Sequence, residues 1–115
     1  MTEKFQVQFL EDAFEFLDNL EEKARDKVIY NIQKARFSDD KEIFKKLKGE
    51  IWEFRTLFNR TYIRLFAFWD KVDKKQILVI STHGYIKKTD KTPNAELKKA
   101  EKIRKLYFER KSDER

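Results

Sequence analysis

Ile51–Trp69 reads IWEFRTLF-NR-TYIRLFAFW, two dense runs on either side of the pair Asn59-Arg60. Both runs, Ile51–Phe58 and Thr61–Trp69, are rich in aromatic and β-branched residues, the composition that fits a pleated, half-buried surface. Asn59-Arg60 predicts a tight turn between them. With a side-chain period of two, Glu53 and Arg55 share a face with Ile51 and Leu57, while Trp52, Phe54 and Phe58 face the other way. On the second run Arg64 shares a face with Tyr62, Phe66 and Phe68. A guanidinium at the centre of a strand and flanked by aromatics must be paired if it is buried. Glu53 is the available partner, as a Glu53–Arg64 or a Glu53–Arg55 pair.

Working toward the C-terminus, Asp70–Lys75 is a longer polar turn. Gln76–Thr82 then carries Ile77, Leu78, Val79 and Ile80, a continuous apolar run suited to a central strand covered on both faces. Thr92-Pro93 has the form of an N-cap and first helical position. Leu97, Ala100, Ile103 and Tyr107 continue a helical stripe that frays from about Arg110. Working toward the N-terminus, Asp39-Asp40 is expected to cap a short helical turn carrying Ile43, Phe44 and Leu47, ended by Gly49 in a left-handed conformation. Ala24, Val28, Ile32 and Ala35 define one helix. Leu10, Phe14 and Leu17, joined by Ala13, Phe16 and Leu20, define another before it. Phe5, Val7 and Phe9 alternate as a first strand. The order is β-α-α-(short helix)-β-β-β-α. It predicts an α+β domain over residues 1–115, with an antiparallel meander, an N-terminal helical hairpin on one face and a C-terminal helix. The first strand must join this sheet, at an edge or in a parallel position beside a later strand.

Composition narrows the class. The chain has 115 residues, 15% aromatic and 42% charged, with no cysteine and one histidine. Disulfides and thiolate chemistry are absent, no metal site or cofactor is expected, and no apolar run reaches membrane-spanning length. A cytoplasmic protein without a membrane partner is the expectation. Residues 1–40 hold 6 Lys/Arg against 10 Asp/Glu, a net of −4; residues 41–115 hold 21 against 11, a net of +10. That asymmetry suits one face to a polyanion, or else reflects charges solvated on all faces.

The basic residues flank the meander: Lys45, Lys46 and Lys48 before it, Lys87, Lys88 and Lys91 after it. His83-Gly84-Tyr85-Ile86-Lys87-Lys88-Thr89-Asp90-Lys91 sets an imidazole, a phenol and three ammonium groups just past the end of the apolar strand. These are the groups needed for metal-free phosphodiester cleavage: a base for an RNA 2′-hydroxyl, cations for the phosphorane, an acid for the leaving oxygen. Arg grips phosphate with two donors, and aromatics stack on unpaired bases. A solvated Lys-rich loop beside a surface histidine has the same composition.

Three segments resemble the HigB-like branch of the RelE/ParE toxin superfamily. Lys48-Gly49-Glu50-Ile51-Trp52-Glu53-Phe54-Arg55 is similar to that branch's K-x-x-x-W/L-E-x-R segment. Tyr62–Phe68 resembles its Y-R-I/L-x-Y/F strand. Ile80–Pro93 resembles its L-H-G-F-x-K-K-T-x-K-T-P signature, followed by E-x-x-x-A at Glu96–Ala100. The resemblance implies a small RelE-like fold and a phage-derived toxin of a type II toxin–antitoxin system. It implies a ribosome-dependent endoribonuclease that enters the ribosomal A site, cuts mRNA and leaves a cyclic phosphate. A helix-turn-helix antitoxin is the implied partner. On that reading Arg64 and Arg55 stabilise the phosphorane or hold phosphates. His83, Tyr85 and Lys87 are candidates for acid, base and stacking roles, and Lys46, Lys48, Lys88 and Lys91 hold the RNA backbone. The same superfamily also implies two alternatives: a non-enzymatic toxin that binds DNA gyrase, and an inactive relative.

Overall fold

The computed structural model describes residues 5–71, 77–87 and 94–113, with side chains described at all of these except 79–87. The chain runs β1 (Gln6–Phe9), α1 (Glu11–Asp18), α2 (Glu22–Phe37), β2 (Phe44–Lys48), β3 (Ile51–Phe58), β4 (Thr61–Asp70), β5 (Ile77–Lys87) and α3 (Asn94–Asp113). The strands form one sheet in the order β1-β5-β4-β3-β2. β2 through β5 are antiparallel neighbours, and β1 lies parallel to β5 at the edge, with Val7 opposite Leu78. The α+β architecture expected from the sequence is the one observed.

The meander is built as the alternation of Ile51–Trp69 predicts. Trp52 pairs with Ala67, Phe54 with Leu65 and Arg55 with Arg64. Asn59 and Arg60 both adopt positive φ, 50° and 64°, the two-residue turn whose twist matches that of the flanking strands. One sheet face packs on the helical hairpin. Ala13 and Leu17 of α1, with Ala24, Val28, Ile32 and Ala35 of α2, enclose Phe54, Ile63, Leu65, Ala67 and Leu78. The other face packs on α3 through Ile51, Phe66 and Ala100, with Leu47 and Leu97 at the margin. Phe68 is also fully buried, 5.2 Å from the ring of Tyr107.

Four local expectations give way to the tertiary structure. The segment after Asp40 is not a helical turn leading to Gly49. A turn held by the Glu42 amide donating to Asp40 Oδ1 leads straight into β2. Ile43, Phe44 and Leu47 suit either period, and β3 offers a ladder that an isolated turn cannot match. Gly49 is left-handed as predicted, at φ 56°, but closes the β2–β3 hairpin. Phe14 is 64% exposed, because Leu10 precedes the helix and the buried stripe of α1 centres on Ala13 and Leu17. β5 does not stop at Thr82: it runs to Lys87, since the backbone groups of Tyr62–Leu65 need ladder partners. Finally, α3 stays helical through Asp113. Tyr107 Oη and Lys111 Nζ both donate to the buried Asp70 carboxylate, at 2.6 and 2.5 Å. The expected Thr92-Pro93 cap lies outside the described residues.

An L-residue in the left-handed region costs about 1–2 kcal/mol, and glycine gives back part of that as chain entropy. Arg60→Gly is therefore expected to stabilise the fold by about 0.5–1 kcal/mol, read as a higher urea midpoint at unchanged slope.

Candidate functional site

On the α3 side of the sheet, Glu53 and Arg55 project from β3 and Tyr62 and Arg64 from β4, as period-two alternation requires. Arg64 Nη1 donates to Glu53 Oε1 at 2.8 Å, and the two side chains are 1% and 0% exposed. Arg55 Nε stands 3.7 Å from the same carboxylate oxygen, its side chain 12% exposed. Both guanidinium carbons lie 5.2 Å from the Tyr62 ring centroid, so one aromatic ring serves two cations. Both pairings anticipated for Glu53 are thus realised together. Two guanidiniums share one carboxylate in a poorly hydrated setting, where charges are weakly screened.

The row continues onto β5. Tyr85 holds the register position opposite Arg64, which itself lies opposite Arg55, so residues 55, 64 and 85 cross three strands in line. Lys87 is opposite Tyr62, and Tyr62 opposite Leu57. The ladder shifts register between Leu65 and Ala67, leaving Ser81, Thr82 and His83 opposite Phe66 alone. His83 thus sits in a bulge within the strand, not in a loop beyond it. Bulges of this kind recur where a strand must re-aim side chains beside a site.

The lysines divide. Lys45 lies opposite Glu53 on the arginine side, whereas Lys46 lies opposite Trp52 on the hairpin side. Lys48, exposed at the end of β2, is opposite Ile51 across a second bulge. Lys88 and Lys91 lie outside the described residues. Two cations absent from the sequence reading join the site from α2. A cleft of about 530 Å³ beside Arg55, Leu57 and Tyr62 is also lined by Lys27 and Lys34, together with Asp40, which pairs with Lys34 at 3.5 Å, and Glu42. Lys27 Nζ donates to the Leu57 carbonyl at 2.6 Å, and Asn31 Nδ2 donates to Thr56 Oγ1 at 3.1 Å in the core behind it. The stripe of Ala24, Val28, Ile32 and Ala35 marks the buried side of α2 and gives no sign of what stands beside these lysines. Only the docking of α2 on the end of β3 brings them beside Arg55.

No group of three His, Cys, Asp or Glu among the described residues could hold a metal ion, and no helix among them is long and apolar enough to cross a membrane. The structure brings together Arg55, Lys27, the Lys34–Asp40 pair and the Tyr62 ring, cations and an aromatic surface of the kinds that suit a phosphodiester. His83, Tyr85 and Lys87 stand on the adjacent strand.

Comparison with known families finds a match over residues 15–105 to the family described as phage derived protein Gp49-like (DUF891). No curated protein and no solved structure matches the chain.

Removing one member of a buried ion pair leaves the other charge without compensation and costs about 3–5 kcal/mol. Glu53→Ala, which takes the carboxylate from both arginines, is expected to lose about that much stability in urea denaturation, and Arg64→Ala, which leaves Arg55 at the carboxylate, less. The double variant should lose clearly less than the two losses added.

Proposed function

The chain belongs to the Gp49-like family of phage-derived proteins, within the RelE/ParE-like toxin superfamily, and from that premise we propose that it is a toxin that cleaves mRNA at the ribosome. Members of this family are commonly toxin-like components of toxin–antitoxin systems and usually pair with an antitoxin. The finer reading places the chain in the HigB-like branch and makes its partner a helix-turn-helix antitoxin. It rests on the signature Ile80–Pro93 and on Lys48–Arg55.

The observation that carries the ribonuclease reading is the line Arg55–Arg64–Tyr85 across three strands, flanked by a cleft of mixed charge and a bulge at His83. In the proposed reaction a base among His83, Tyr85 and Lys87 takes the 2′-hydroxyl proton of the RNA. The 2′ oxygen attacks the adjacent phosphorus, the bond to the 5′ oxygen breaks, and an acid of the same set protonates that oxygen. A 2′,3′-cyclic phosphate remains. Arg55 grips the phosphate directly. Arg64, committed to Glu53 by one nitrogen, holds the positive field beneath it and fixes Arg55 and Tyr62 in place. Lys27 receives a neighbouring phosphate, with Lys34 beside it paired to Asp40 at 3.5 Å, and Tyr62 offers its ring to an unpaired base. A positive A-site ligand is favoured because the ribosomal A site is itself a polyanion.

The test is induced expression in a bacterial host with primer extension on a reporter mRNA. Codon-phased cuts that require translation are expected. At least one of His83→Ala, Tyr85→Phe and Lys87→Ala should reduce them by about 10²–10⁴-fold, the usual share of a general acid or base. Growth arrest with intact mRNA and inhibited supercoiling would instead assign a gyrase-directed toxin. Unimpaired growth would assign an inactive relative.

A further inference from the structure

The two edges of the sheet are built differently. β2, at one edge, carries Lys45, Lys46 and Lys48 and a shift of register between Lys46 and Lys48. Charges and bulges of this kind keep a foreign strand from adding to an edge. β1, at the other edge, reads Gln6-Val7-Gln8-Phe9, with no charge, no proline and no register shift. It pairs with β5 along one side, and among the described residues no strand pairs with its other side. Backbone groups left open along such a strand are a template for a further one.

Both sheet faces carry exposed apolar groups beside this edge. Phe9 is 37% exposed, on the side of Val7 and the helical hairpin. On the α3 side a groove of about 680 Å³ separates Gln8 from α3, lined by Leu10, Ile103 and Leu106, and Leu106 is 43% exposed. The two ends of this groove carry opposite charge. Glu11 and Asp12 come just after Phe9, in the first turn of α1. Arg110 is at the other end, next to Lys111 on the last turns of α3. Lys111 holds Asp70, which is opposite Ile77, and Ile77 is opposite Gln6, so Arg110 marks the Gln6 end of β1. Lys111 is engaged by Asp70, whereas Glu11, Asp12 and Arg110 form no ion pair with another described residue.

We propose that β1 is the seam of a twofold dimer, its open edge occupied by the antiparallel β1 of a second copy of this chain. A twofold axis normal to the sheet at Val7 sets Gln6 opposite Gln8 of the second copy and keeps both α3 helices on one face. The axis also exchanges the ends of the groove, so Glu11 and Asp12 of each copy meet Arg110 of the other. An edge that is acidic at one end and basic at the other is complementary to itself when reversed. That selects a second copy over an unrelated strand. Phe9 and Leu106 of both copies then lie along the seam. β5 and β4 stand between β1 and β3, so Arg55 and its cleft stay open in each copy. The proposal does not rest on the ribonuclease reading.

The test is sedimentation of the purified chain at low salt, from about 1 μM to about 1 mM. A reversible monomer–dimer equilibrium is expected, because the paired strands are short. Gln6→Lys with Gln8→Lys, both at exposed positions, sets lysines opposite one another and is expected to raise Kd at least about tenfold. Arg110→Glu is expected to raise it about tenfold, and adding Glu11→Lys and Asp12→Lys should restore the dimer. Circular dichroism checks that each variant is folded. A chain that stays monomeric at about 1 mM would overturn the proposal. So would a dimer that tolerates the lysines on β1, since its seam then lies elsewhere. A dimer lost with those lysines yet indifferent to the charge at position 110 would overturn the antiparallel arrangement.

Discussion

Glu53 and Arg64 meet 2.8 Å apart on neighbouring strands, with neither side chain reaching solvent. Withdrawing both ions from water costs several kcal/mol each, and only close geometry with further polar neighbours offsets it. Arg55 supplies a second cation to the same carboxylate and Tyr62 an aromatic ring to both guanidiniums. The pair also pins the register of the meander. A slip of one residue between β3 and β4 would send Glu53 into the apolar layer beneath α1 and α2 and would turn Phe54 out of it. The hydrogen bond from Asn31 to Thr56 adds a second polar constraint on the opposite face, which fixes α2 to the same strand.

From that constraint the sheet acts as a partition between two chemistries. The hairpin side holds most of the apolar core and, at its open corner, the tryptophans. The α3 side is unusually polar for a covered face, with Glu53, Arg64 and Asp70 all buried. Asp70 does for α3 what Glu53 does for the meander: its carboxylate takes Tyr107 and Lys111 and so docks the last helical turns. β2, at the sheet edge, sends Lys45 to one side of the partition and Lys46 to the other. A basic tract that is contiguous in sequence is therefore divided in space.

Local signals account for most of the architecture. Dense aromatic and β-branched runs around Asn59-Arg60 mark β3 and β4, and the spacing of Ala24, Val28, Ile32 and Ala35 marks the buried stripe of α2. The candidate arginines were legible too, because polar residues amid strand aromatics stand out against the period. Other features were not. The stretch from Ile43 to Leu47 fits both helical and strand periods, and its choice depended on an edge of β3 that exists only in the folded sheet. The extension of β5 and the bulge at His83 answer to the hydrogen-bonding needs of β4, which lies some twenty residues earlier in the chain. Lys27 and Lys34 carried no local signal, because the helical stripe says which side of α2 is buried, but not what stands beside its rim.

By itself, then, the sequence determined every element but β2, the α+β class and the two arginines in the meander, since periodicity, turn chemistry and left-handed glycine act within a few residues. Only the tertiary structure decided that Glu53 holds both arginines at once. It also decided that Lys46 faces away from them, and that α2 delivers two lysines to Arg55. Those outcomes depend on strand register and on how helices dock across the sheet. Both are set by the simultaneous burial of residues far apart in the chain, which no local pattern encodes.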